Sequence, residues 1–323
     1  MSVVLTKSRC INALRCYFNY ALSRFGLVRI SHAPLFVSVE PAAVCQLRCP
    51  ECPVGRGKGK ERKEIGERFM SIDLFRQVLR EASAHAWTFQ FYFQGEPLLN
   101  SGLATMIREA HEAGVYTIVS TNAQAMTAAV AEDLVRAGLD RIIVSMDGLT
   151  EESYNAYRIG GSIETCRSAL RFLREAKQRL KAHMVIEIQC LRLKSNEHEW
   201  PLFKKQYKTM GADRLVFKTA QLYDYANGHP LMPSSPRYSR YTKGADGLYH
   251  RRPRRAGCLR VWSGVVVAAN GDVLPCCYDK DRTFRYGNIN LTPLQDLFRS
   301  SRALAFRRAA LKEQPTICKE CWR

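Results

Sequence analysis

Strand-like and helix-like segments alternate through the middle of the chain. The strand-like segments are rich in β-branched and aromatic residues and occupy residues 35–39, 88–93, 115–120, 141–146, 184–191 and 214–218. Apolar residues at helical spacing fill the intervals, as in residues 103–113, 128–137, 163–179 and 197–210, and Ser71 is the predicted N-cap of an earlier helix. Strands separated by such helices need crossover connections and therefore form a parallel sheet. The alternation predicts an α/β fold.

Three cysteines follow the first strand-like segment with the spacing C-x3-C-x2-C. They are Cys45, Cys49 and Cys52. Three thiolates can hold a [4Fe-4S] cluster by three of its irons and leave the fourth iron open for reaction, whereas structural metal sites are usually closed by four protein ligands. A zinc knuckle is the alternative, but the next histidine, His85, lies well downstream. The motif therefore favours a reactive iron–sulfur site.

This segment resembles the cluster loop of the radical S-adenosylmethionine enzymes. The resemblance implies that S-adenosylmethionine binds the open iron, that the reduced cluster cleaves it, and that the resulting 5′-deoxyadenosyl radical abstracts a hydrogen atom from the substrate. It also implies a partial (β/α)6 barrel, similar to a TIM barrel, with the site at the carboxyl ends of the strands. An electron donor such as flavodoxin or ferredoxin would be a partner.

Polar motifs close several of the predicted strands. Gln94-Gly95-Glu96 is similar to the family's Gly-Gly-Glu motif, with Gln94 in place of the first glycine. Residues 120–123 resemble a Ser-Thr-Asn-Gly segment, except that Ala123 replaces the glycine, and residues 145–148 are similar to a Ser-Ile-Asp-Gly segment.

The resemblance implies that these strand ends contact the cofactor. An arginine beyond the last of these motifs matches the position from which relatives pair a guanidinium with the carboxylate of S-adenosylmethionine, a geometry that suits both groups. The predicted cofactor-binding residues are Gln94, Gly95, Glu96, Thr121, Asn122, Ser145, Asp147, Arg158 and Gln189. Helix capping and turn chemistry would also account for each one taken singly.

Cysteines recur near the end of the chain. They are Cys258, the adjacent pair Cys276 and Cys277, and the C-x2-C pair Cys318 and Cys321. Between the first two, apolar arms flank an Asn-Gly dipeptide, which predicts a β-hairpin. The hairpin would bring the first two cysteines together, and the final pair would complete four thiolates. A zinc ribbon has similar spacing and is the alternative.

The same region resembles the SPASM extension, or its shorter twitch form, found in many radical S-adenosylmethionine enzymes. The extra cysteines of the full SPASM pattern are missing. The resemblance therefore implies one auxiliary [4Fe-4S] cluster held by Cys258, Cys276, Cys318 and Cys321. Cys277 is an alternative ligand or a free thiol. Beside it, Tyr278 and Asp279 are candidates for taking a proton from the substrate.

Residues 1–33 form a basic amphipathic segment. Its apolar face is expected to pack on the main domain, and the alternatives are an anionic membrane surface or a leader peptide. Residues 34–225 are predicted to form the barrel, 226–256 a basic linker and 257–323 the SPASM/twitch-like iron–sulfur domain. Four other cysteines lie in periodic segments and are expected to be small buried apolar side chains: Cys10, Cys16, Cys166 and Cys190.

A net charge of +19 is partly concentrated in residues 237–260, where Tyr238, Tyr241 and Tyr249 are interleaved with basic residues. Such a segment can attract RNA, an acidic peptide or a phosphorylated substrate, or it can be a solvated linker. No apolar run approaches the ~20 residues of a membrane span, so at most peripheral membrane contact is expected. Free thiolates need a reducing compartment, which favours the cytoplasm.

The resemblance implies a reaction class but no single substrate. Relatives with this kind of tail mature peptides and proteins, and twitch-bearing relatives oxidise aminocyclitol alcohols. Oxidation or other modification of a peptide or protein is the first hypothesis. The alternatives are radical modification of RNA or of a small anionic or aminocyclitol-type metabolite. A zinc-binding interaction protein is the alternative without enzymatic activity.

Overall fold

A computed structural model describes residues 4–57, 67–252, 257–312, 314–319 and 321. The strands are β1 (Phe36–Val39), β2 (Thr88–Phe91), β3 (Tyr116–Thr121), β4 (Arg141–Ser145), β5 (Val185–Arg192), β6 (Arg214–Thr219), β7 (Tyr241–Lys243), β8 (Tyr249–Arg251), β9 (Gly264–Val267), β10 (Asp272–Leu274) and β11 (Gly287–Asn288). The helices are α1 (Lys7–Ser23), α2 (Ile72–Ala82), α3 (Leu103–Glu112), α4 (Ala128–Arg136), α5 (Glu151–Asn155), α6 (Ile163–Arg179), α7 (Trp200–Gln206), α8 (Leu259–Ser263), α9 (Leu294–Arg299), α10 (Ser301–Lys312) and α11 (Thr316–Lys319).

The predicted alternation is confirmed. Each strand-like segment of the barrel region contains a strand, and the helices begin and end within a few residues of the predicted limits. The Ser71 side chain caps α2 by accepting a hydrogen bond from the Leu74 backbone nitrogen at 3.1 Å. The helix expected over residues 197–210 divides into a 3-10 helix and α7, because Pro201 is suited to the first turn of a new helix.

Two compact units divide the chain. The first contains residues 1–44, 64–119 and 254–323, and the second contains residues 45–63 and 120–253. The domain boundaries expected from the sequence, at residues 33, 225 and 256, stay predictions.

The sheet of the first unit has the strand order β11-β10-β9-β1-β2-β3. Strands β1, β2 and β3 are parallel, as their crossover helices require. The predicted hairpin is present, with β9 antiparallel to β10 and Gly271 in the turn at a φ of 89°. Strand β9 also pairs in parallel with β1, so the hairpin extends this sheet. All four residues of β9 are buried, as expected for a strand that has a partner strand on each side.

The second unit has the parallel strand order β4-β5-β6. Ser145 at the end of β4 lies opposite Gln189 of β5. Helices α4 and α6 pack against each other, and β7 and β8 form a separate antiparallel hairpin. The carboxyl ends of β4 and β5 therefore bring polar residues together at one edge of this sheet.

A buried ion-pair network joins the end of β1 to the C-terminal hairpin. The Arg282 guanidinium lies 3.1 Å from the Glu40 carboxylate and 3.4 Å from the Asp272 carboxylate, and it donates to the Asn270 side chain at 2.9 Å. Glu40 is completely buried and directly follows β1. Because a buried charge needs its partner, this network fixes the backbone immediately before the cysteine loop.

Helix α1 buries its polar face, whereas the sequence predicts that it buries its apolar face. Its buried residues are Arg9, Asn12, Ala13, Cys16, Asn19 and Ser23. The expected packing of the apolar face is therefore wrong, because the inner face carries polar side chains that hydrogen-bond to backbone groups of neighbouring segments. Cys10 is exposed, contrary to expectation, whereas Cys16, Cys166 and Cys190 are buried as predicted. Within the described ranges, no helix is long and apolar enough to cross a membrane.

His32 connects the polar face of α1 to α8. Its Nε2 atom lies 2.8 Å from the Trp262 carbonyl oxygen, and its Nδ1 atom lies 2.9 Å from the Asn19 Nδ2 atom. A neutral ring with its proton on Nε2 donates to the carbonyl and accepts from the amide. Burial lowers the pKa of His32 to about 4 from its usual 6.5.

This shift predicts a loss of stability in mild acid. Between pH 6.5 and pH 4 the unfolded chain binds a proton at His32 that the folded chain does not, so the stabilisation is complete above pH 6.5 and lost as the pH falls towards 4. A shift of this size corresponds to about 3 kcal/mol. We expect His32→Gln to be less stable than the parent protein at pH 7.5 but to show a flatter dependence of the unfolding midpoint on pH. His198→Gln, at an exposed site, is the control. An equal pH dependence of the unfolding midpoint in the parent protein, His32→Gln and His198→Gln would contradict the lowered pKa of His32.

Candidate functional site

The three-cysteine loop is a compact turn that follows β1. Cys49 is buried, and Cys45 and Cys52 are half-buried. The Cys52 backbone nitrogen donates to the Cys49 carbonyl at 3.2 Å. Gly55 folds back onto Cys49 so closely that a Cβ atom there would lie 2.6 Å from both the nitrogen and the oxygen of Cys49. The loop thus holds three thiols on a short, tightly folded segment that requires glycine at position 55.

Hydrogen-bond donors and a cation surround these sulfurs. The Cys45 sulfur accepts from the Leu47 backbone nitrogen and from the Asn122 Nδ2 atom, both at 3.4 Å. Burial raises the pKa of the Cys49 thiol to about 11, and the positive charge of Arg158 opposes that rise. Metal coordination deprotonates a thiol outright. A set of three thiols with N–H donors and a nearby guanidinium fits a cluster with three thiolate ligands.

The Gln94-Gly95-Glu96 motif lies after β2, beside the backbone that leads into the cysteine loop. A Cβ atom on Gly95 would lie 2.0 Å from the Ala42 carbonyl oxygen, so only glycine fits there. The Glu96 backbone nitrogen donates to the Val44 carbonyl at 2.8 Å, and its buried carboxylate accepts from the Leu98 nitrogen at 3.1 Å. The motif therefore sets the path of residues 42–44.

The Gln94 side chain reaches the C-terminal region. Its Nε2 atom donates to the Lys280 carbonyl oxygen at 2.8 Å. Lys280 lies three residues beyond Cys277. The amide thus has a structural role that the family motif, which has glycine there, does not suggest.

Thr121 and Asn122 end β3 as a tight polar turn. The Thr121 hydroxyl accepts from the Ala123 nitrogen at 2.8 Å, and the Asn122 side chain accepts from the Gln124 nitrogen at 2.9 Å. Ala123 has a φ of 64°, in the left-handed region that favours glycine. Alanine here keeps the backbone conformation that the family's glycine predicts. The turn directs the Asn122 amide at the Cys45 sulfur.

Asp147 and Arg158 form a buried ion pair beyond β4. The Asp147 side chain is completely buried, and its Oδ2 atom accepts from Arg158 Nε at 2.6 Å. Its Oδ1 atom accepts from the Leu191 nitrogen, also at 2.6 Å, which ties the pair to β5. Because guanidinium carries five N–H donors, the bond to Asp147 leaves others for a carboxylate ligand. The predicted contact of Arg158 with the cofactor stays a prediction.

Three of the C-terminal cysteines lie close enough to Cys276 to influence it electrostatically. Burial raises the pKa of Cys276 well above its usual range, and Cys277, Cys318 and Cys321 raise it further. The Cys321 nitrogen donates to the Cys318 carbonyl at 3.3 Å, so the final pair forms a turn. A buried thiol with three other thiols nearby fits a shared metal cluster, because a bound cation removes the cost of ionising it.

Two further residues of the C-terminal region are the predicted ligand Cys258 and the proton-acceptor candidate Asp279. Cys258 is half-buried at the N-terminus of α8. Asp279 is fully buried, its carboxylate accepts from the Phe284 nitrogen at 3.1 Å, and burial raises its pKa to about 6. Across the part of the chain that the structure describes, no three His, Cys, Asp or Glu side chains are grouped as ligands of a metal ion. The ligand set for the auxiliary cluster stays a prediction.

Two family models match this chain. Residues 39–188 match the radical SAM superfamily, and residues 258–322 match SPASM, an iron–sulfur cluster-binding domain. The first match contains the three-cysteine loop, and the second contains all five C-terminal cysteines. The chain has a radical SAM domain and a SPASM domain. Its cofactors are therefore iron–sulfur clusters and S-adenosylmethionine, and the predicted enzyme class is confirmed.

Curated radical SAM relatives match most of the chain. The PqqA peptide cyclase of Bradyrhizobium diazoefficiens is 26% identical over 265 residues, which cover 75% of this chain and 66% of the relative. The match thus spans just under two thirds of that relative's length.

Solved structures share the fold. SuiB from Streptococcus suis, bound to the precursor peptide SuiA, superposes with a TM-score of 0.62 at 14% identity and covers 93% of this chain and 71% of its own. BtrN in complex with AdoMet and 2-DOIA has a TM-score of 0.53 at 16% identity, with 91% and 95% coverage. The predicted α/β class, with β/α units followed by an antiparallel hairpin and helices, is confirmed.

Glu51 is a radical SAM loop residue that sequence reasoning missed. Its side chain accepts from the Tyr223 backbone nitrogen at 2.7 Å and lies 3.5 Å from His229 Nε2. Glu51 stands between Cys49 and Cys52, so the bonds attach the cluster loop to the segment after β6. The signal available in the sequence was an acidic residue inside the cysteine motif, and the structure shows that its side chain is only 7% exposed.

The tyrosines of the basic segment are largely occupied within the second unit of this radical SAM chain. Tyr241 is buried, donates to the Leu222 carbonyl at 2.9 Å and stacks on Tyr225 with ring centroids 4.2 Å apart. Tyr238 packs against Trp200. Base stacking needs free aromatic faces, so these contacts disfavour the RNA hypothesis. The arginines at 254 and 255 lie outside the described residues. So do residues 58–63 of the polar, glycine-rich stretch 55–63, for which the sequence predicts a surface loop.

Proposed function

We propose that this radical SAM enzyme abstracts a hydrogen atom from a peptide or protein and thereby oxidises or otherwise modifies it. The observation that carries the proposal is the combination of a three-cysteine loop after β1 with a second cysteine group inside the SPASM match. The peptide cyclase relative and the SuiB complex with its precursor peptide support a peptide as the substrate class. One-electron reduction would come from a donor such as flavodoxin or ferredoxin.

Cys45, Cys49 and Cys52 would hold the cluster that binds S-adenosylmethionine. When bound, the cluster and S-adenosylmethionine together supply one-electron reductive cleavage and hydrogen-atom abstraction. The protein contributes positioning: Gly95 lets the backbone before the loop approach the motif after β2, and the Asn122 amide donates to the Cys45 sulfur. Asp147 fixes the orientation of Arg158, whose positive charge favours the thiolate of Cys49.

The substrate class is tested by product formation with candidate peptides. Anaerobically purified, reduced protein would be incubated with S-adenosylmethionine and short peptides encoded beside its gene, and 5′-deoxyadenosine and peptide mass would be measured. We expect one peptide to accelerate 5′-deoxyadenosine release and to change mass, and deuterium at the modified position to appear in 5′-deoxyadenosine. A scrambled peptide of the same composition is the control. Acceleration by an RNA or an aminocyclitol, with no response to any peptide, would contradict the proposal.

The auxiliary cluster predicts a difference between neighbouring cysteines. Cys318→Ala removes a proposed ligand and should lower the iron content by about four atoms per chain, because a [4Fe-4S] cluster needs its thiolates. Cys277→Ala, beside the proposed ligand Cys276, is the matched control and should retain the iron. Iron and sulfide analysis of the anaerobic proteins measures both. Loss of iron in Cys277→Ala with retention in Cys318→Ala would reverse the ligand assignment.

A further inference from the structure

Helix α1 and the loop after it expose several large apolar side chains to solvent. Ile11, Leu14 and Phe18 lie at helical spacing on one face, with Leu14 70% exposed and Phe18 58% exposed. Phe25 and Leu27 continue the surface beyond the helix at 84% and 60% exposure. We call these five residues, together with Tyr17, the α1 apolar face. Exposed apolar surface of this extent usually marks an interaction site.

The orientation of α1 is fixed by its buried side. The Arg9 guanidinium donates to the carbonyls of Gly114 at 2.6 Å and Ala113 at 2.9 Å. Asn12 exchanges two hydrogen bonds with the Ala33 backbone, at 2.8 and 3.1 Å. Rotating the helix to bury its apolar face would leave these buried polar groups unpaired, which is costly. The apolar face is therefore held outward by the fold.

The charged residues of the segment that carries this face are all basic. Lys7, Arg15, Arg24 and Arg29 are exposed, and the first acidic residue of the sequence is Glu40. Beside the end of α1, a cavity of about 780 Å³ is lined by Arg24 together with Arg308 and Lys312 of α10. An amphipathic segment whose charged residues are all basic has the composition of helices that lie in the interface of anionic membranes.

We propose that the α1 apolar face docks on an anionic lipid bilayer, with the apolar side chains inserted at the headgroup boundary and the cations, including those of the cavity, against lipid phosphates. A second copy of the chain fits less well, because a two-fold contact through this face would bring like charges together. The surface lies away from the three-cysteine loop in sequence and uses none of its residues. The inference is independent of the proposed substrate.

Vesicle binding by the full-length protein tests this inference. Flotation with vesicles of phosphatidylglycerol and phosphatidylcholine, compared with phosphatidylcholine alone, should show binding only to the anionic vesicles. The double variant Lys7→Gln/Arg15→Gln should bind about thirtyfold more weakly, from about 1 kcal/mol per cation near the surface. The double variant Leu14→Gln/Phe18→Gln should bind the anionic vesicles at least about tenfold more weakly than the parent protein. Both should release 5′-deoxyadenosine at the parent rate.

Leu291→Gln is the control, because Leu291 is 86% exposed but lies outside the α1 apolar face. It should bind vesicles like the parent protein. Equal binding of every variant, equal binding to neutral and anionic vesicles, or no vesicle binding would overturn the inference. So would a protein dimer that dissociates in Leu14→Gln/Phe18→Gln without any vesicle binding. Thermal unfolding midpoints verify that the variants are folded.

Discussion

Replacing Cys49 by alanine is expected to abolish cleavage of S-adenosylmethionine. Cys49 is the most buried of the three loop cysteines, and its backbone contacts both Cys52 and Gly55. Two thiolates cannot hold the cluster, so the iron content should fall by about four atoms per chain while the auxiliary cluster remains. Release of 5′-deoxyadenosine should fall by more than about a hundredfold, since changes that merely surround a metal site already reach that size.

Cys10→Ala is the matched control for Cys49→Ala. Cys10 lies on the exposed side of α1, outside both cysteine groups. This variant should keep the iron content and the rate of the parent protein. A Cys49→Ala protein that keeps its iron and cleaves S-adenosylmethionine normally would remove the loop from the reaction.

Replacing Asp147 by alanine is expected to cause the largest loss of stability. The change would leave the largely buried Arg158 without its 2.6 Å partner and would leave the Leu191 nitrogen without its acceptor. Breaking a buried ion pair on one side costs about 3–5 kcal/mol. For a protein of this size the unfolding midpoint should fall by roughly ten degrees. Asp147→Asn keeps an acceptor for the Leu191 nitrogen, so its unfolding midpoint should lie between those of the parent protein and Asp147→Ala.

The exposed ion pairs of Glu132 supply the comparison. Glu132 lies 2.6 Å from Arg136 and 2.7 Å from Arg179, distances similar to that of the buried pair. Because solvent screens these charges, Glu132→Ala should lower the unfolding midpoint much less than Asp147→Ala does. Calorimetric midpoints of the variants measure the difference. An equal decrease of the unfolding midpoint in Glu132→Ala and Asp147→Ala would show that the buried pair has no special role in stability.

The strand and helix alternation was predictable because it depends on local periodicity. The same is true of Ser71, whose capping bond involves residues three positions apart. The left-handed φ of Ala123 is likewise a local feature, since this residue stands where the family motif has glycine. Local rules of this kind need no knowledge of which segments meet in space.

Other features depend on contacts between distant segments. The parallel pairing of β9 with β1 joins residues more than two hundred positions apart, and no pattern in either strand specifies the partner. Helix α1 shows the same limit. Its amphipathic pattern is visible in the sequence, but which face is buried depends on the hydrogen bonds of Arg9 and Asn12 to backbone groups of other segments. The hydrogen bond between Glu51 and Tyr223 likewise became visible only in three dimensions.

The most direct test of the radical SAM assignment is the release of 5′-deoxyadenosine by the wild-type chain. Anaerobically purified protein, reduced chemically and supplied with S-adenosylmethionine, should release 5′-deoxyadenosine continuously and should contain about eight irons per chain, four for each [4Fe-4S] cluster. A protein that carries this iron, accepts electrons and leaves S-adenosylmethionine intact would contradict the assignment.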